Sequence, residues 1–203
     1  MDIRSDPFDK LRRAVATRNG AGSSDFDLNP SVLAKLPATR KLRPASVLIP
    51  VIERDGLHVI LTRRSGNLAH HPGQVAFPGG KVDPSDNSHE DAALREAEEE
   101  IGLPRQNVEI LGRIDTHETI TGFLVTPFVA RVHRDFKPSP EPGEVAEVFE
   151  VPLTFLTNPQ NLQVLSRSWQ GQKRSYLAIP YGPHFIWGAT ARMIKGLADR
   201  MST

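Results

Sequence analysis

The 203-residue chain contains no cysteine, which excludes disulfide bridges and thiolate metal sites. No apolar run approaches the roughly 18 residues of a membrane span. Met1 to Gly20 is charged throughout, where a secretory leader would carry an apolar core, and the closing Met201-Ser202-Thr203 is not a peroxisomal address. A charge excess of one sign is also missing: 25 Lys and Arg offset 24 Asp and Glu, for a formal net charge of +1. The basic residues are spread along the chain, which argues against wrapping by nucleic acid or adhesion to a membrane surface. There is no internal repeat and no low-complexity tract. The length suits one domain with extensions and a real core. The expectation is a soluble cytoplasmic protein.

Phe8, Leu11 and Ala14 recur at helical spacing behind Pro7, with Arg12, Arg13 and Arg18 elsewhere, and predict a short docking helix. Gly20 to Pro30 has loop chemistry, and Ser31 to Leu36 suits a further turn of helix. Residues 1–43 therefore read as a helical extension and linker, as available to a homodimer as to their own domain, and residues 44–203 as the main domain. Ala45 to Val51 and Leu57 to Thr62 flank the turn dipeptide Asp55-Gly56, predicting a hairpin that delivers Arg63 and Arg64 to its far end. Within Leu68 to Ala76, the residues His70, His71, Pro72 and Gly73 form a loop. Its paired His70 and His71 suit hydrogen bonding to substrate or backbone better than a metal, because no cysteine or third histidine stands at ligand spacing. Strands are expected over Val108 to His117, Leu124 to Val132, Val148 to Leu153 and Ser175 to Pro180, with a loop from Arg134 to Gly143. The sets Phe185, Ala189, Met193, Leu197 and Ile186, Thr190, Ile194 predict a terminal helix. This pattern alone specifies an α/β or α+β protein.

The most informative stretch runs from Phe77 to Leu103. Pro78-Gly79-Gly80 is a tight turn without side-chain bulk, suited to close approach of backbone to a ligand. Asn87 or Ser88 can cap a helix that ends at Gly102, with Pro104 preventing continuation. On that helix Leu94, Ala97 and Ile101 form an apolar stripe, and Glu96, Glu99 and Glu100 converge on a largely different face. Like charges at this spacing repel, and they crowd the helix end where the dipole disfavours anions. A solvated acidic face is one reading. A hard divalent cation, Mg²⁺ or Mn²⁺, completed by substrate phosphates, is the other.

The whole string favours the second. Gly80, Asp86 and Arg95-Glu96-Ala97-Glu98-Glu99-Glu100-Ile101-Gly102-Leu103 resemble the Nudix box, GX5EX7REUXEEXGU. Asp86 stands where the box has Glu, with one extra residue before Arg95. Upstream, Leu61-Thr62-Arg63-Arg64-Ser65, Gly73 and Phe77-Pro78-Gly79-Gly80 resemble the LLTXR(S/A)X3RX3GX3FPGG element of the coenzyme A pyrophosphatase branch, with Ile60 for its first Leu and Ala69 for its second Arg. Trp187-Gly188-Ala189-Thr190 is similar to a stretch near the end of such chains.

The resemblance implies an α/β/α sandwich around a mixed sheet. It implies metal-dependent hydrolysis of the pyrophosphate bond of coenzyme A or acyl-CoA to 3′,5′-ADP and 4′-phosphopantetheine or its acyl derivative. ADP-ribose, NADH or another nucleoside diphosphate derivative is the alternative substrate class, and a non-catalytic nucleotide-binding module is a third reading. Glu96, Glu99 and Glu100 would hold the metal, and Arg95 would position a glutamate. Arg64 would contact phosphate, with Gly73, Phe77, Gly79 and Gly80 shaping the substrate side. The general base lies between Glu99 and the loop acid Glu144, with Glu141 and Glu147 competing for the latter role.

Overall fold

Two long strands flanking Asp55-Gly56 form the centre of the protein. In the computed structural model, which describes residues 6–16, 20, 22–37, 39–169 and 171–202, the N-terminal part comprises α1 (Asp9–Ala16), β1 (Ser23–Ser24) and α2 (Pro30–Leu33). β2 (Arg43–Arg54), β3 (Gly56–Arg64), β4 (Val75–Ala76), β5 (Gly79–Lys81) and α3 (His89–Ile101) follow. Then come β6 (Val108–Arg113), β7 (His117–Glu118), β8 (Phe123–Val132), β9 (Val145–Pro152) and α4 (Leu153–Leu156). The chain closes with β10 (Gln163–Trp169), β11 (Gln172–Tyr181), β12 (His184–Trp187) and α5 (Ala189–Met201).

Strands β1 to β9 make one mixed sheet, in which β2 runs parallel to β8 and antiparallel to β3, and β3 in turn pairs with β9. Alternation along β2 and β3 sorts side chains to two faces. Leu48, Ile52 and Ile60 pack with Ala93, Ala97 and Ile101 of α3 on one face. Val51, Val59 and Leu61 belong with Leu11 of α1 and Ile194 and Leu197 of α5 to the core on the other. The result is an α/β/α sandwich with a small second sheet, β10-β11-β12, against its α5 side. Among the described residues no helix is long and apolar enough to cross a membrane.

Three local expectations change. Phe185 and Ile186 share the spacing of the terminal helix but lie on β12, because Gly188 with φ of 64° turns the chain before α5 begins. The Gly20 to Pro30 linker is not wholly loop: Ser23 and Ser24 add a parallel edge to β7. Pro78-Gly79-Gly80 is not a tight turn, since Gly79–Lys81 pairs antiparallel with Ala45 to Val47. Phe8, Leu11 and Ala14 are buried as the N-terminal helix requires, and α1 packs on β6 and α5. The parts of that reading on residues 1–5 and 17–19, Arg18 included, lie outside the described residues, as does Thr203.

Candidate active site

Ser88 caps α3 by accepting from the Asp91 amide at 3.0 Å, and Gly102, with φ of 65°, ends it in the left-handed conformation. That fixes the rotation of the helix. Ala93, Ala97 and Ile101 face the sheet, and Glu100 is carried to the edge of the same buried side, only 4% exposed. The expectation that all three glutamates share a face apart from the apolar stripe therefore needs correction for Glu100. Glu99 remains open, with its side chain 60% exposed.

Arg95 is the hub of the cluster. Its Nε and Nη2 donate to the two oxygens of Asp86 at 2.8 and 3.0 Å, a bidentate geometry that a lysine cannot reproduce. Its Nη1 donates to Glu96 at 3.0 Å and to Glu99 at 2.9 Å. The Asp86 side chain is 2% exposed, and the Arg95 hydrogen bonds hold its carboxyl below the usual range. Asp86, at the altered position of the box, is thus the bidentate partner of Arg95.

Glu100 accepts from the Gly79 amide at 3.3 Å. Burial, and then the charge of Glu96, push its carboxyl up to about 8; Arg64 opposes this and Glu144 reinforces it. Burial also raises the Glu96 carboxyl against the counteracting Arg95. Arg64 and Glu144 therefore lie within electrostatic reach of the cluster. Glu147 does not join it: this residue pairs with Arg63 at 3.0 Å, on the opposite face of β3 from Ile60 and α3. Glu141 contributes its amide to the Glu100 carbonyl at 2.9 Å and its side chain to the Glu144 amide at 2.8 Å, shaping the loop that carries Glu144.

The two glycines have distinct uses. A Cβ on Gly79 would lie 2.4 Å from the Ser46 carbonyl oxygen and 2.6 Å from Val47 Cα, so backbone pairing itself requires glycine there. A Cβ on Gly80 would lie 2.5 Å from the Glu96 carboxyl carbon. The space a side chain at Gly80 would need is taken by Glu96. Gly80→Ala is accordingly expected to leave the melting temperature nearly unchanged, because a flexible carboxylate can swing aside, yet to lower turnover by about three- to tenfold through displacement of Glu96. Thermal denaturation beside steady-state kinetics checks both halves. Phe77 is 3% exposed in the core on the α5 side, so its ring anchors the segment and makes no substrate wall. Gly73 donates its amide to the Arg64 carbonyl at 3.2 Å, and Arg64 donates its own to Gln74 at 3.0 Å.

Among the described residues no group of three His, Asp or Glu side chains is placed to hold a metal ion, and Glu96 and Glu99 are both engaged by Arg95. The donor chemistry nevertheless fits a hard divalent ion. Burial disfavours the charged forms of both Glu96 and Glu100, the charge of Glu96 adds to the penalty at Glu100 and that of Glu99 to the penalty at Glu96, and a divalent ion held there would relieve these penalties.

A model of the NUDIX domain matches residues 42–170. The uncharacterized Nudix hydrolase NudL of Photorhabdus laumondii is 41% identical over 88% of the chain and 97% of its own length. NudL of Pectobacterium atrosepticum is 42% identical over 79% and 83%. A solved structure, a binary complex of the C. elegans Ap4A hydrolase, aligns with a TM-score of 0.48 at 20% identity, covering 54% of this chain and 80% of that one.

Proposed function

The chain belongs to the Nudix family, and from that premise we propose that it is a Nudix pyrophosphohydrolase that cleaves the diphosphate bridge of coenzyme A or acyl-CoA. The observation that carries the hydrolase reading is the pairing of the part-buried Glu96, tethered by Arg95, with the buried Glu100, tethered by the Gly79 amide. Those two residues and Glu99 would hold Mg²⁺ or Mn²⁺. When bound, the ion neutralises the bridging phosphates and lowers the pKa of the attacking water.

Every remaining task falls to the chain. Arg95 orients Glu96 and Glu99 while Asp86 fixes Arg95. Arg64, on the strand end beside the cluster, contacts a phosphate oxygen. Water attacks one phosphorus; the bond from that phosphorus to the bridging oxygen breaks, and the oxygen leaves with the other phosphate. Glu144 takes the proton from the water, since Glu99 serves the ion and the charge of Glu144 is felt at Glu96 and Glu100.

The coenzyme A preference is supported by the element from Leu61 to Gly80, and Ala69 favours a second reading. The exposed Ala69 offers no guanidinium for a further phosphate, which suits ADP-ribose or NADH. Purified protein with Mg²⁺ or Mn²⁺ should be assayed on coenzyme A, ADP-ribose, NADH and diadenosine polyphosphates, with products identified by mass. Coenzyme A is expected to give the highest kcat/KM, yielding 3′,5′-ADP and 4′-phosphopantetheine. A preference for ADP-ribose overturns the substrate assignment, and binding without cleavage of any of them overturns the enzyme.

A further inference from the structure

Three prolines, Pro138, Pro140 and Pro142, punctuate the loop between β8 and β9. Proline fixes φ and has no N–H, so the segment is stiff and its only amide donors from 138 to 142 are Ser139 and Glu141. Both are spent on α3. The Ser139 amide donates to the Ile101 carbonyl and the Glu141 amide to the Glu100 carbonyl, each at 2.9 Å, at a helix end whose last carbonyls lack partners within the helix. The fit at Gly102 is close, since a Cβ there would lie 3.0 Å from Ser139 Cβ. The loop is a strap fastened to the C-terminal end of the helix that carries the glutamates.

The same strap delivers Glu144 to β3. The register of β9 on β3 slips between Arg63, opposite Glu147, and Arg64, opposite Val145, which leaves Ala146 without a partner. Bulges of this kind bend a strand and re-aim its side chains. Beyond the slip, the Ser65 amide donates to the Glu144 carbonyl at 2.7 Å. The Glu144 amide is held from the other side by Glu141, whose carbonyl and carboxylate accept it at 3.1 and 2.8 Å. Glu141 thus grips α3 through its own amide and Glu144 through its side chain. Glu100 has a matching pair of uses: its carboxylate belongs to the cluster and its carbonyl anchors the strap.

Of the two acids that compete with Glu144 in the sequence, Glu147 is taken by Arg63, and Glu141 spends its carboxylate on a backbone donor of its own loop. We infer that Glu141 is the positioning residue for Glu144: it fixes the segment carrying that acid to the helix that carries Glu96, Glu99 and Glu100, so that base and ligands keep one geometry. The link to turnover rests on the assignment of Glu144 as base proposed above, whereas the link between Glu141 and Glu144 does not. Gly143 offers an independent handle. A Cβ there would lie 2.9 Å from a Glu141 carboxylate oxygen, so alanine displaces that carboxylate without removing a hydrogen-bonding group.

Glu141→Ala, Glu141→Gln and Gly143→Ala should be compared with wild type in Mn²⁺, on whichever of coenzyme A, ADP-ribose, NADH and diadenosine polyphosphates is cleaved fastest. Glu141→Ala is expected to lower kcat about tenfold with KM within about twofold, and Gly143→Ala to lower kcat about threefold. Glu141→Gln keeps the acceptor and should stay within about twofold of wild type. In a Glu144→Gln background, adding Glu141→Ala should change nothing further. A glutamine variant as impaired as the alanine one, or an alanine effect that persists in full without Glu144, overturns the positioning role. Amide exchange followed by NMR in chelator needs no turnover. The Glu144 amide should exchange about threefold faster or more in Glu141→Ala with the α3 amides unchanged, and equal rates overturn the inference as well. If Glu144→Gln keeps wild-type turnover, or no substrate is cleaved, the base assignment or the hydrolase reading fails, and the exchange rates alone decide whether Glu141 holds Glu144.

Discussion

Glu100→Gln is expected to lower turnover by about 10²- to 10³-fold while making the metal-free protein more stable. The two effects have one origin. Glu100 is a buried carboxyl beside Glu96, pushed up to about 8 from an ordinary 4.5 chiefly by burial and then by that neighbour. Its folded pKa lies above its unfolded one, so its stabilising contribution is complete below about 4.5 and is lost as pH rises toward about 8. The loss across that window is on the order of 4 kcal/mol at most. Glutamine has no proton to lose and can still accept from the Gly79 amide. In chelator, wild-type melting temperature should fall from pH 5 to 8, and the variant curve should be flatter and higher at pH 8. Adding Mn²⁺ should reverse the order, because an ion that binds only the folded state stabilises the wild type by mass action. Parallel melting curves for the two proteins in chelator would refute this account of Glu100.

Arg95→Met should cost about 2 kcal/mol of stability and about ten- to a hundredfold in kcat/KM. The substitution leaves Asp86, almost fully buried, without its bidentate partner, and releases Glu96 and Glu99 together. The stability figure is set below that of a fully enclosed pair because Arg95 is 24% exposed and partly screened by solvent. Arg95→Lys should recover little, since one ammonium cannot meet both Asp86 oxygens while reaching Glu96 and Glu99. Urea denaturation together with saturation kinetics checks both values; recovery of wild-type turnover by lysine would remove the positioning role.

Much of this was legible in local signals. The hairpin around Asp55-Gly56 and the box helix from its Ser88 cap to Gly102 follow from turn chemistry and apolar periodicity, and both occur as expected. Less legible was anything fixed by distant partners. Glu100 looks like one more acid on a helix until Gly79 is brought against it by β5 pairing with β2, and Gly80 looks like ligand clearance until Glu96 fills the space. Asp86 has no periodic signature, so its pairing with Arg95 appears only once the loop closes. Phe185 and Ile186 mimic the helical repeat of α5 because a strand ending at Trp187 places them at the same sequence offsets. The β10 strand carries several polar residues and largely exposed positions, which weakens the alternation that would mark it.

The central claim is that the glutamates of α3 hold the cation that makes hydrolysis possible. Crystals grown with Mn²⁺, measured at wavelengths either side of the manganese edge, test it directly. The account predicts an anomalous peak ligated by Glu96, Glu99 and Glu100 that disappears in Glu100→Gln. A peak elsewhere in the molecule, or none while those glutamates point into solvent, would contradict it.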